Sequence, residues 1–239
     1  MIFVSIVGDS ISTYEGYNPP EYAVYYDKEM QQVNGLNSVY DTWWAKVNQR
    51  MHAYLCVNNS YSGSKVTGNG FPAASSIERI SRLKTASSSP DYILVYIGVN
   101  DFGNGVKIRQ DRVTNPGNNN LLYFEDAYEY MISQIQEQYT DAKIICGTLL
   151  RSKVKRHEDW IFPESYAGVR FEDYNDAIRR ITKQKNILLA DIAKQNIRYE
   201  TLDGTHPTAE GHKTIAHAWI KCLMEREGVQ GQNYETIQR

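Results

Sequence analysis

Apolar and polar positions divide this chain into short β-branched runs, helical repeats and long polar loops. Ile2 to Val7 (IFVSIV) is an almost unbroken apolar run, the composition of a strand buried on both faces. Ala53 to Asn58, Asp91 to Ile97, Lys143 to Thr148 and Ile187 to Ala190 read the same way. Between them the period changes. Asp41 or Thr42 caps a helix to about Met51, with Trp43, Trp44 and Val47 at apolar spacing. Ile77, Ile80 and Leu83 predict a helix from about Ala74 to Thr85. Ala127, Tyr128, Met131, Ile132 and Ile135 mark another from Phe124 to Gln138. Further helices are expected from Glu172 to Gln184 and, capped by Thr208, to about Glu227. Strands alternating with amphipathic helices predict an α/β fold with a single doubly wound parallel sheet.

Three irregular stretches interrupt this alternation: residues 12–39, 103–122 and 150–171, rich in Gly, Pro, Asn and aromatic residues. Each follows a strand, so all three are expected on one edge of the sheet. Long loops in compact domains are usually functional. No linker divides two cores, and the length of 239 residues suits one domain over 1–239, with a polar, frayed tail at about 228–239.

Composition narrows the partners. With 26 basic against 28 acidic residues there is no electrostatic footprint for nucleic acid. No apolar run is long enough to span a membrane. Met1 leads straight into the first strand without a basic, apolar leader, so the protein is expected to be cytoplasmic, or exported after loss of a leader. Cys56, Cys146 and Cys222 read as free thiols rather than a disulfide framework. Tyrosine is abundant, 18 against 6 Phe, which suits a wet site for a polar organic ligand.

Four polar clusters fall at strand ends or in loops on the same edge. They are Gly8-Asp9-Ser10, Ser62-Gly63-Ser64, Gly98-Val99-Asn100-Asp101 and Asp203-Gly204-Thr205-His206. Open α/β sheets bind ligands at the carboxyl ends of their strands. Gly8 lets the chain turn there, and Ser12 or Thr13 could cap a short helix that follows. A serine nucleophile needs a base within reach, the base needs a carboxylate, and the oxyanion needs preset donors. Ser10 can be the nucleophile, His206 the base and Asp203 its orienter. Ser10 and Gly63 can offer backbone N–H groups, and Asn100 its side-chain amide. Asp9 and Asp101 read as supporting residues that anchor turns. His212 and His217, five apart on the last helix, read as packing or surface residues, and Asp191 is a lesser candidate for a functional carboxylate.

These clusters resemble, in order and spacing, the sequence blocks of the SGNH (GDSL-type) hydrolase superfamily. G-D-S is met by Gly8-Asp9-Ser10, although Ile11 stands where leucine is common. The lone glycine of the second block is met by Gly63, with Gly68 and Gly70 close by as alternatives. G-x-N-D is met by residues 98–101 and D-x-x-H-P by residues 203–207. The resemblance implies a flavodoxin-like five-stranded sheet of order 2-1-3-4-5 and ester hydrolysis through an acyl-enzyme. It also implies an oxyanion hole of Ser10, Gly63 and Asn100, with no cofactor and no metal.

Within that class, loops rich in Tyr, Asn and Gly suggest a small-molecule or carbohydrate ester, with a small acyl group such as acetyl. Tyr14, Tyr17 and Trp160 are the candidate substrate contacts. Lipase, lysophospholipase and thioesterase activities stay open on the same site, and the oligomeric state is open too. Two rivals are a binding protein with an idle site and a metal-dependent phosphoesterase using Asp9, Asn100, Asp101, Asp203, His206 and His212. A histidine base predicts activity rising with pH around the reference value of roughly 6.5.

Overall fold

The computed structural model describes residues 1–109 and 121–229, with side chains described to residue 225. The asparagine-rich middle of the loop after Gly103 and most of the polar tail lie outside the described residues.

The first strand, β1 (Ile2–Gly8), is followed by the long excursion, which holds one short helix, α1 (Lys28–Val33). Next come α2 (Trp43–Arg50), β2 (Ala53–Ser60), α3 (Ile77–Ile80), β3 (Tyr92–Tyr96), α4 (Val99–Gly103) and α5 (Phe124–Gln138). After β4 (Lys143–Gly147) there are three short strands, β5 (Arg151–Val154), β6 (Ser165–Tyr166) and β7 (Val169–Arg170). The chain continues with α6 (Phe171–Gln184), β8 (Leu188–Ala190), β9 (Arg198–Thr201) and α7 (Ala209–Val229).

The main sheet runs β2-β1-β3-β4-β8, with every pair parallel. Counting only its own strands, this is the order 2-1-3-4-5. Connections leave β1 toward β2 on one side and reach β3 on the other, so β1 ends at the topological switch point. Helices α2 and α7 pack together, and α5 packs with α3 and α6, which covers both faces. That double cover explains the β-branched composition of the central strands: Val4, Ile6, Ile93, Leu94 and Val95 have no accessible surface.

Several elements differ from the expectation. The helix expected from 74 to 85 contracts to the single turn α3. Ala74 and Ser75 instead donate their N–H groups to the carbonyls of Lys65 and Val66, a loop-to-loop pairing that competes with helix formation. The irregular stretch after residue 150 contains β5, which pairs in parallel with β9 as a separate two-stranded sheet. The helix after β1 is a 3-10 turn over Ser10–Ser12 capped by Asp9, not by Ser12 or Thr13. Asp9 Oδ1 accepts from the Ile11 N–H at 3.0 Å because the carboxylate precedes the turn and reaches its second N–H.

Candidate functional site

Gly8 owes its place to close approach. A Cβ there would lie 2.6 Å from Ser12 Oγ and 2.8 Å from Ser60 Oγ. The turn beyond it is clamped from the α2 side. Trp43 Nε1 donates to Ser12 Oγ at 3.0 Å, and Ser12 O accepts from Trp44 Nε1 and from Asn58 Nδ2. Trp43 in turn stacks on Trp219 of α7. Ser10 thus sits on a turn fixed by buried bonds to α2 and β2, itself 2 % exposed.

His206 Nε2 lies 3.0 Å from Ser10 Oγ, and His206 Nδ1 lies 2.6 Å from Asp203 Oδ2. The second carboxylate oxygen, Asp203 Oδ1, accepts the N–H groups of Thr205 and His206, so the D-x-x-H spacing closes its own turn. Burial pushes the Asp203 carboxyl up, but the hydrogen bond to the His206 side chain, together with these two backbone bonds, holds it well below the usual carboxylate range. Gly204, at φ +87°, brings the chain round and leaves room for Trp160, which a Cβ would meet at 2.9 Å. Tyr25 lies flat on the imidazole, with ring centroids 3.4 Å apart and an interplanar angle of 9°. Its hydroxyl donates to Asp203 Oδ2 at 3.2 Å.

On the other side of Ser10, the loop after β2 and the turn after β3 are tied together. Asn100 Nδ2 donates to Ser64 O at 3.0 Å, beside Gly63. Gly63 has φ +76° and an N–H with no acceptor among the described residues. The Gly68 N–H donates to Leu121 O and is therefore occupied. Of the glycines left open by the sequence, Gly63 adjoins Asn100's partner and keeps an available donor. Asp101 grips the same loop, accepting from the Val66 N–H, the Thr67 N–H and the Thr67 hydroxyl. Burial raises its carboxyl to about 6.

Beneath the site lies Arg79, 1 % exposed. Its Nε donates to Asn59 Oδ1, one terminal nitrogen to Ser64 Oγ and Pro72 O, and the other to Gly8 O and Asn59 O. All five N–H donors are used, every partner is neutral, and the end of β1 is joined to the Gly63 loop. Burial lowers its guanidinium to about 10. Asp9 is buried nearby with Oδ2 unpaired, and desolvation raises its carboxyl from 3.8 to about 7.

The other candidates are distributed differently. Tyr14 is 7 % exposed, with its ring edge against Tyr17, and Tyr17 packs toward Trp44. Tyr14 is thus buried against Tyr17, whereas Tyr17 keeps 45 % of its surface exposed. Trp160 does border open space: a cleft of 540 Å³ lined also by Val154, His157, Asp159, Leu202 and Asp203. Asp191 is held by Arg179, Thr148 and Lys194 and is a structural carboxylate. His212 is wholly buried and accepts the Trp43 N–H on Nδ1, and burial depresses it to about 3. The residues that could be drawn as metal ligands therefore do not converge: Asp101 faces the Thr67 loop and His212 faces α2. Among the described residues no group of three or more His, Cys, Asp or Glu is arranged to hold a metal ion, and no helix is long and apolar enough to cross a membrane.

Sequence reading missed Tyr25 and Arg79. Tyr25 lies in an aperiodic stretch among five tyrosines, and Glu78-Arg79 reads as the solvated side of a helix.

The chain shares its fold and its length with solved structures. A candidate GDSL-like lipase from Bacteroides ovatus is 26% identical with a TM-score of 0.70, covering 95% of this chain and 99% of that one. A second, from Bacteroides uniformis, is 25% identical with a TM-score of 0.69, covering 94% and 96%. A family two carbohydrate esterase from Clostridium thermocellum, in complex with cellohexaose, is 16% identical with a TM-score of 0.56, covering 95% and 65%. At that identity the likeness is one of fold. No curated protein matches the sequence. The family model for GDSL-like lipase/acylhydrolase matches residues 2–223, from the first strand through the Asp203–His206 loop into the last helix, and the chain belongs to that family.

Proposed function

We propose that the protein is a serine esterase that hydrolyses small-acyl esters, foremost acetyl esters of carbohydrate, through an acyl-enzyme. The observation that carries this reading is the continuous relay from Ser10 Oγ to His206 at 3.0 Å and from His206 to Asp203 at 2.6 Å. In this scheme Ser10 Oγ attacks the ester carbonyl while His206 Nε2 takes its proton. The oxyanion is met by the N–H groups of Ser10 and Gly63 and by the Asn100 amide. Collapse breaks the bond to the alcohol, which leaves with the proton from His206. Water, deprotonated by the same nitrogen, then releases the acid and restores Ser10. Asp203 holds the Nδ1 proton throughout and offsets the imidazolium charge.

Support for a polar alcohol group comes from the cleft beside Asp203. Trp160 gives it one flat apolar face, and His157, Glu158 and Asp159 give it hydrogen-bonding groups. The fold shared with a carbohydrate esterase supports the scaffold alone. The protein and its Ser10→Ala variant are assayed on p-nitrophenyl acetate with chelator present, then on longer-chain esters and acetylated sugars. The expected result is turnover that falls with acyl length and vanishes in a folded Ser10→Ala protein. Undiminished turnover by Ser10→Ala would refute the serine mechanism. Faster turnover of long-chain esters would move the substrate to the lipase class.

A further inference from the structure

Tyr25 lies outside all the motif blocks, yet it touches two of the three relay residues and is tied to the third. Its ring covers the His206 imidazole at 3.4 Å, and its hydroxyl donates to Asp203 Oδ2, the same oxygen that faces His206 Nδ1. Its backbone N–H donates to Thr13 Oγ1, and Thr13 Oγ1 donates to Ser10 O at 2.9 Å. The neighbouring Tyr26 is wholly buried, stands edge-on to the Tyr25 ring at 4.9 Å and donates its hydroxyl to Pro207 O at 2.7 Å. Residues 25 and 26 therefore join the Ser10 turn to both ends of the loop that carries the base.

We propose that Tyr25 is a positioning residue for the esterase reaction, holding the His206 ring in line between Ser10 and Asp203 and balancing the charge it gains. This rests on the serine-esterase reading. Two opposing effects are built in. The π face lies against the imidazole and favours its cationic form. The hydroxyl stabilises the Asp203 carboxylate and so weakens that carboxylate's pull on the imidazolium proton. Asp9 at the end of β1, His212 on α7 and Asp203 on its own loop also interact electrostatically with His206.

Tyr25→Phe and Tyr25→Leu separate the two effects, since Phe keeps the ring and Leu removes it. For Tyr25→Phe, kcat is expected to fall by about threefold, the loss of one hydrogen bond, and the acid limb of the kcat profile to move to higher pH. From Phe to Leu the limb should move back down by about half a pH unit, while kcat falls at least roughly tenfold further and KM changes little. Turnover by Ser10→Ala on the same substrate separates failure of the esterase reading from failure of this one. The low-field proton NMR signal of His206 Nδ1–H at acid pH needs no turnover. It should persist in Tyr25→Phe and be lost to exchange in Tyr25→Leu. Acid limbs that coincide in all three proteins, or an unaltered Nδ1–H signal in Tyr25→Leu, would overturn the proposal even if kcat fell. Should Tyr25→Leu not fold, the upward shift in Tyr25→Phe decides, and its absence overturns the proposal.

Discussion

Replacing Arg79 by methionine tests whether the floor of the site is held by a buried cation without a carboxylate partner. The side chain is 1 % exposed and makes its five bonds to Asn59 Oδ1, Asn59 O, Gly8 O, Ser64 Oγ and Pro72 O. Methionine matches the length of the aliphatic stem but supplies no donor. Gly8 O would keep the Tyr61 N–H, leaving four acceptors without that partner. At about 1 kcal/mol for each, the loss is roughly 4 kcal/mol, and relief from burying the charge returns part of it. The expected net destabilisation is about 3 kcal/mol, read as a lowered urea midpoint at unchanged slope. Arg79→Lys, with three donors on one nitrogen, should fall between the two proteins. A midpoint for Arg79→Met corresponding to less than about 1 kcal/mol would refute the reasoning, because buried acceptors cannot lose their donors so cheaply.

Asp203→Asn should keep the bonds from the Thr205 and His206 N–H groups but present an amide to His206 Nδ1. The imidazole would then favour the wrong tautomer, with kcat on p-nitrophenyl acetate falling by roughly 10³-fold or more and the fold unchanged by circular dichroism. Asp9 has a folded-state value of about 7 against 3.8, so the native state holds its proton more tightly than the unfolded chain. That contribution is complete below about pH 4 and is lost as pH rises through about 7. Asp9→Asn should thus raise stability at about pH 8 by roughly 4 kcal/mol and leave it unchanged near pH 4, measured by urea titration at both. Trp160→Ala should raise KM for acetylated sugars several-fold while leaving kcat on p-nitrophenyl acetate within about twofold, as expected for a residue that meets only the alcohol side.

Helix α5 was legible because Ala127, Tyr128, Met131, Ile132 and Ile135 recur at helical spacing, and all five are wholly buried. The central strands were legible because burial on both faces demands unbroken apolar runs. The Ser10 turn and the D-x-x-H loop were legible because each is closed by bonds among near neighbours. What was hidden depends on partners far along the chain. Strands β5 and β9 (RSKV and RYET) are polar and short, and become strands only by pairing with each other. Arg79 looks solvated until β1, β2 and the Pro72 loop surround it. The sequence suggests Gly8 for its freedom to turn, whereas the crowding that excludes a side chain comes from Ser12 and Ser60 on adjoining segments.

The bond between Ser10 and His206 spans 196 positions. Ser10 lies just past the end of the first strand, and His206 lies on the loop that follows β9, which pairs with β5. Nothing local draws the two together, so their meeting is among the contacts of highest loop-closure cost in the molecule. Collapsed intermediates with a formed sheet core would be mute in an ester assay. On the serine-esterase reading, hydrolytic competence would therefore serve as a built-in reporter of completed folding, silent until the two distant segments have docked.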